Sequence, residues 1–149
     1  MQVGDIMTKD VKTVSADASF ADAAKLLHQN GISSVVIAGD GGPEGIITER
    51  DLVNVVAEGL DPATTKVSER MTRDLATVAS RSDVAEAARI MGKRRIRHLP
   101  VVDKGKLAGI LSIRDVTSWA VQEMTGGHEL PDLERSSAAL TAAVEAKKE

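Results

Sequence analysis

Residues 45–53, GIITERDLV, return as GILSIRDVT at 109–117, an offset of 64. The same offset superposes Met7-Thr8 on Met71-Thr72 and Thr13-Val14 on Thr77-Val78. It also aligns Ala21, Ala23 and Ala24 with Ala85, Ala87 and Ala88, Ile32 with Ile96, and Gly45, Ile46, Arg50 and Asp51 with Gly109, Ile110, Arg114 and Asp115. No gap is needed, so the chain is a duplication, and any fold must be buildable twice from one pattern.

Each copy reads as strand, helix, strand, strand, helix. A β-favouring Thr-Val is followed by polar residues and a helix start. Ser19 with Asp22, and Asp83 with Glu86, have the spacing of an N-cap and its third-position acid. Behind them Phe20, Ala23, Ala24 and Leu27 fall at i, i+3, i+4 and i+7, as do Val84, Ala87, Ala88 and Met91, giving one apolar helical stripe per copy. GISSVVIAGDGGPEGIIT and RIRHLPVVDKGKLAGILS then each read as two strands about a Gly/Asp turn. The spacing predicts closing helices over 49–58 and 113–124, ended by Gly59 and Gly126. The expected boundaries are 1–59 for the first copy, 60–67 for a linker containing Pro62, 68–125 for the second copy and 126–149 for a tail. Neither copy is large enough to be comfortable alone, and pairing about an approximate two-fold axis would bury their sheets face to face. The fold class expected is α+β.

Composition narrows the function. Phe20 and Trp119 are the only aromatic residues, which leaves no stacking platform for single-stranded nucleic acid. A net charge of −3 gives no general attraction to DNA or an anionic membrane. Cysteine is absent, which removes disulfides, thiolate nucleophiles and Cys-held metals. His28, His98 and His128 are too scattered for a local zinc motif. No apolar run approaches the roughly 20 residues of a membrane span, and the first residues lack the form of a signal peptide, so a cytoplasmic protein is expected. No nucleophile–base pair or pair of acid–base carboxylates is evident, and an enzyme is not expected.

The duplicated hydroxyl, Arg and Asp have two readings. Thr48 with Asp51, and Ser112 with Asp115, fit a capping box that satisfies the first amides of a helix. Gly45 and Gly109 fit bulge glycines. Alternatively they form the polar wall of a nucleotide pocket. A strand running into a helix N-terminus presents free N–H groups to phosphate, a hydroxyl adds a donor, and a carboxylate one turn on accepts from the two hydroxyls of a ribose. Arg50 and Arg114 would then pair with phosphate, or else form surface ion pairs. In the basic run KRRIRH, Lys93, Arg94 and Arg95 offset a helix dipole, whereas Arg97 and His98 open the next strand.

The combination of TV before a helix, RHLPVVD before a hairpin, and Gly followed by two apolar residues, a hydroxyl, two spacers and Asp resembles a tandem cystathionine-β-synthase (CBS) domain pair, or Bateman module, over residues 5 to about 122. The resemblance implies two pseudo-symmetric β-α-β-β-α repeats, sheet to sheet, that commonly dimerise, with a cleft that often holds AMP, ADP, ATP or S-adenosylmethionine. It implies that Asp51 and Asp115 take ribose, that Thr48 and Ser112 stand on the phosphate side, and that Thr13, Val14, Thr77 and Val78 meet the adenine edge. Arg97 and His98 match the basic position facing phosphate. The first copy departs there, with Ser33 and Ser34 in their place and Val36 in place of Pro100, so anion binding is expected to be lopsided toward the second copy.

Two functions follow from the resemblance. One is a regulatory module that senses an adenosyl ligand and acts through a homodimer or an unidentified protein target. The other is a ligand-free dimeric interaction or stress-response module. Trp119 with Val116 and Met124 suggests the apolar side of the last helix, and the tail restarts beyond Pro131 with a thin stripe at Leu133, Leu140 and Val144.

Overall fold

The computed structural model describes residues 1–126, so the tail stripe lies outside the described residues. The chain divides into a unit of residues 1–113 and a second that begins at Arg114. The first holds α1 (Val3–Ile6), β1 (Thr13–Val14), α2 (Phe20–Asn30), β2 (Ser34–Gly39), β3 (Gly42–Thr48) and α3 (Glu49–Ala57). A 3-10 turn at Val67–Glu69, α4 (Val84–Arg94), β4 (His98–Asp103) and β5 (Lys106–Ser112) follow. The last helix, α5 (Ile113–Met124), carries the described part of the second unit.

The helices start and stop where their chemistry dictates. Ser19 accepts from the Asp22 amide at the head of α2, and Asp83 from the Ala85 amide at the head of α4. Phe20, Ala23 and Leu27 on α2, and Val84, Ala87 and Met91 on α4, are buried as the stripes require. Both helices end on a left-handed residue, Gly31 in the first copy and Arg95 in the second. Arg95 adopts φ 55 with a side chain that glycine would spare.

The first sheet has the order β1-β2-β3, with β1 parallel to β2 and β2 antiparallel to β3. In the second copy the leading strand is reduced to one parallel bridge between Val78 and Val101, beside the β4-β5 hairpin. Each hairpin has its register shift at the corresponding place, between Ile37 and Ala38 and between Val101 and Val102.

The copies exchange their leading segments. Thr8 bridges Ile110 on β5, and Thr72, 64 residues later, bridges Ile46 on β3. Val3 donates to the Ser82 carbonyl and Gly4 to Ser80, while Val67 donates to Ala18 and Ser68 to Ala16. Val67 and Met71 therefore lie in one core cluster with Phe20, Ala23, Leu27, Val35, Ile37, Ile47 and Val55 of the first copy. The stretch joining the copies is part of this packing, with Thr65 buried and Val67 fully so.

The exchange explains the duplicated glycines. A Cβ on Gly45 would stand 2.5 Å from the Met71 sulfur and 2.8 Å from its Cγ. One on Gly109 would stand 2.5 Å from the Met7 sulfur and 2.8 Å from the Thr8 carbonyl oxygen. Gly45 and Gly109 thus sit beside the hairpin irregularities and also leave room for the other copy's methionine.

Candidate functional site

Backbone register assembles the polar residues. Thr13 stands beside Val36 and Ser34 beside Thr48, so the start of β1, the start of β2 and the end of β3 share one end of the first sheet. Chain continuity then puts the first turn of α3 at that end, and the Glu49 amide donates to the Ser33 carbonyl at 3.2 Å. In the second copy His98 stands beside Ser112 and the Val78–Val101 bridge places Thr77 at the same end. The Ile113 amide donates to the Arg97 carbonyl at 2.8 Å. These two ends meet, for Ser33 Oγ and His98 Nε2 are hydrogen-bonded across the copies at 2.8 Å.

Asp51 does the capping work. Its Oδ2 accepts from the Thr48 amide at 2.8 Å and from the Thr48 hydroxyl at 3.4 Å. Oδ1 makes no hydrogen bond among the described residues. Capping and ligand binding are therefore compatible, since one carboxylate oxygen holds the helix and the other is left over. Beside it lies a hollow of ≈ 90 Å³ lined by Asp51, Asn54, Val55 and Arg70. Arg70 is ion-paired with Glu58, the C-cap of α3. Asn54 and Arg70 were not among the residues expected at the site. The available signal was that Arg70 takes the place of Ile6 between positions the two copies share, Val3 with Val67 and Met7-Thr8 with Met71-Thr72.

The other expected site residues are arranged as follows. Thr48 and Asp51 are half-buried and Arg50 is exposed. Thr13 and Thr77 are exposed, Val14 is half-buried and Val78 buried. Arg97 is exposed, while His98 and Ser112 are half-buried. Arg114 and Asp115 open the second unit in the first turn of α5, one exposed and the other half-buried. Further along that helix Val116 is buried, Trp119 keeps its buried indole nitrogen without a partner among the described residues, and Met124 is exposed.

The profile of the CBS domain matches residues 3–58 and again residues 67–122. The chain belongs to the CBS-domain family. Among relatives of the pair, the CBS domain-containing protein YhcV of Bacillus subtilis is 30% identical over 132 residues, which span 88% of this chain and 94% of that protein. MK0525 of Methanopyrus kandleri is 39% identical over 119 residues, 78% of this chain but 61% of the relative, so the chain spans less than two thirds of that protein's length. Among solved structures, the CBS domain pair of protein MJ0100, in complex with 5′-methylthioadenosine and S-adenosyl-L-methionine, superposes with a TM-score of 0.77 at 29% identity, covering 83% of this chain and 98% of that one. A CBS pair with two β-α-β-β-α repeats is thus the architecture, and no helix among the described residues is long and apolar enough to cross a membrane.

Proposed function

We propose that this CBS pair is a non-enzymatic regulatory module whose cleft takes an adenosyl ligand, AMP, ADP, ATP or S-adenosylmethionine. The observation that carries the reading is the Thr48–Asp51 pair, a hydroxyl and a carboxylate at the head of α3 with Asp51 Oδ1 uncommitted. The adenosyl compounds bound by the MJ0100 pair support the ligand class. In this proposal Asp51 takes the ribose diol, Thr48 and the Arg50 amide stand on the side of the anionic group, and Thr13 and Val14 border the base. Ser112 and Arg97-His98, with Thr77 and Val78, form the corresponding polar end of the second copy. Asp115, Arg50 and Arg114 are assigned the ribose and phosphate roles that the motif gives them. A ligand that favours one shape of the module over another converts binding into a signal.

Isothermal titration of the full chain with the four ligands tests this. Micromolar binding by any of them, lost in Asp51→Ala, supports the proposal, and four flat titrations of a folded protein overturn it.

The second reading, a ligand-free dimeric interaction module, is favoured by one feature. Val53 and Val56 stand 63% and 62% exposed, three residues apart on α3. A second copy of the chain, or a protein target, is the proposed partner of that face. Light scattering separates the readings, because a dimer that persists unchanged in ligand and dissociates in Val53→Lys favours assembly without sensing.

A further inference from the structure

We infer that Arg70 is a specificity-determining residue of the first copy's hollow, and that it selects phosphorylated adenosyl ligands over uncharged or sulfonium ones. The inference rests on the adenosyl reading above and adds a residue that the duplicated motif does not contain.

Three observations carry it. First, Arg70 reaches the hollow from the other copy. It lies between the 3-10 turn and the Thr72–Ile46 bridge, where Thr72 and Ile46 exchange N–H···O bonds of 3.0 and 3.1 Å. Its backbone is further fixed by Met71, whose amide donates to the Val67 carbonyl at 2.8 Å and whose side chain fills the space over Gly45. The guanidinium is thus delivered by a rigid segment to a lining it shares with Asp51 and Asn54.

Second, the guanidinium is available. Its partner is Glu58, and the two side chains are 40% and 47% exposed. A pair so open to water is weak, so an incoming anion can take the place of the Glu58 carboxylate. Phosphate is the better partner for the planar fork, which it meets with two parallel charge-assisted bonds. Third, size limits what enters. Pockets that enclose drug-sized ligands run from about 300 Å³ upward, and this hollow is ≈ 90 Å³. The hollow does not enclose a whole nucleotide, and any group that enters meets a lining where Asp51 and Arg70 stand together. In the inferred arrangement a ribose held by Asp51 Oδ1 has its phosphate directed to Arg70 and Asn54, its neighbours on that lining.

The device belongs to the first copy alone. The offset puts Ile6 at the matching place in the leading segment that bridges β5. An apolar side chain there offers nothing to an anion.

Titration calorimetry of the full 149-residue chain with ATP, AMP and adenosine, on the wild type and on Arg70→Ala and Glu58→Gln, tests the inference. One charge-assisted contact corresponds to a change of about 10- to 100-fold in affinity. Arg70→Ala is expected to lose that much for AMP and ATP while binding adenosine within about 2-fold of the wild type. Glu58→Gln, which removes the competing carboxylate, is expected to gain about 2- to 5-fold for both nucleotides. Equal nucleotide affinity in wild type and Arg70→Ala overturns the inference and leaves the adenosyl reading standing. The ¹⁵Nε resonance of Arg70, followed during addition of inorganic pyrophosphate, reads the anion contact without the nucleoside. If no nucleotide binds yet that resonance moves, Arg70 is an anion contact and the adenosyl reading falls. If neither titration responds, both fall.

Discussion

Replacing Gly45 by alanine should cost stability mainly because Met71 is present. Gly45 and Gly109 both lie outside the left-handed region, so backbone conformation does not forbid a side chain at either position. Space does. The new methyl would meet the Met71 sulfur at 2.5 Å and Cγ at 2.8 Å, well inside van der Waals contact, with the Thr72 carbonyl oxygen at 3.1 Å. Overpacking of this kind costs about 1–3 kcal/mol, against which the reduced freedom of the unfolded chain returns about 0.4–1 kcal/mol. The net expectation is a loss of about 1–2 kcal/mol. Met71→Ala alone should cost about 2–5 kcal/mol, because Met71 is buried in the core cluster. In that background the sulfur and Cγ are gone and only the Thr72 carbonyl oxygen at 3.1 Å remains, so most of the cost of Gly45→Ala should disappear. The double-mutant cycle should therefore give a coupling of about 1–3 kcal/mol.

Urea unfolding followed by far-UV circular dichroism, at one protein concentration and without ligand, measures all four corners. The companion cycle at Gly109 and Met7 should show only partial rescue. There the Thr8 carbonyl oxygen stands 2.8 Å from the added methyl and is held by the Ile110 amide at 2.9 Å, so removing Met7 leaves one obstruction in place. Additive costs at Gly45 and Met71 would refute the reciprocal exchange of leading segments, and with it the route by which Arg70 reaches the hollow.

Asp51→Ala should lose both the cap and the ligand contact, with about 0.5–2 kcal/mol of unfolding free energy gone and nucleotide uptake abolished in the same protein. Full binding with the stability loss would leave Asp51 a cap and nothing more. Arg95→Gly should stabilise the chain by about 1 kcal/mol, since a side chain at φ 55 carries a cost that glycine avoids; a loss in the same urea experiment would mean that the Arg95 side chain makes contacts worth more than the strain. Asp103 accepts from Ser80, whose hydroxyl and amide hold its carboxyl below the ordinary value of 3.8. A carboxyl lowered on folding stabilises the protein above its unfolded pKa and loses that contribution as the pH falls through the lower, folded one. The stability gap between wild type and Asp103→Asn should accordingly be full near neutrality and close below pH 3.8, and a gap independent of pH would remove the Ser80 contact as its cause.

The duplication made most of the local structure legible. Capping residues, apolar stripes and the terminating Gly59 and Gly126 place the helices within a residue or so of α2, α3, α4 and α5. Each of these signals acts within a few residues, and a side chain's preference for a cap or a turn is printed in its own neighbourhood. The partner of a leading segment is another matter. An offset states that Met71 is equivalent to Met7, but both packings, onto its own copy or onto the other, satisfy the same pattern of apolar residues. Gly45 likewise reads as a bulge glycine from its neighbours, and only the fold shows which sulfur needs the room. The Thr48–Asp51 pair was legible as a cap, which the structure shows, and the proposed ribose contact uses the other oxygen of the same carboxylate.

The same ambiguity bears on the argument about charge. Aligned by offset, the first copy looks depleted, because Ser33 and Ser34 stand where the second has Arg97 and His98. That comparison assumes that each copy furnishes its own cations. Once the leading segments are exchanged, Arg70 counts toward the first copy's hollow although it is written in the second copy's sequence. Ser33 is also not an empty substitute for a basic residue, since its hydroxyl bonds the very His98 that distinguishes the other copy. The two polar ends are thus unequal in the origin of their positive charge, Arg97 from the head of its own β4 and Arg70 from a segment lent across the pseudo-symmetry. Under the proposed function, a ligand that engages Arg70 touches a segment that belongs in sequence to the second copy.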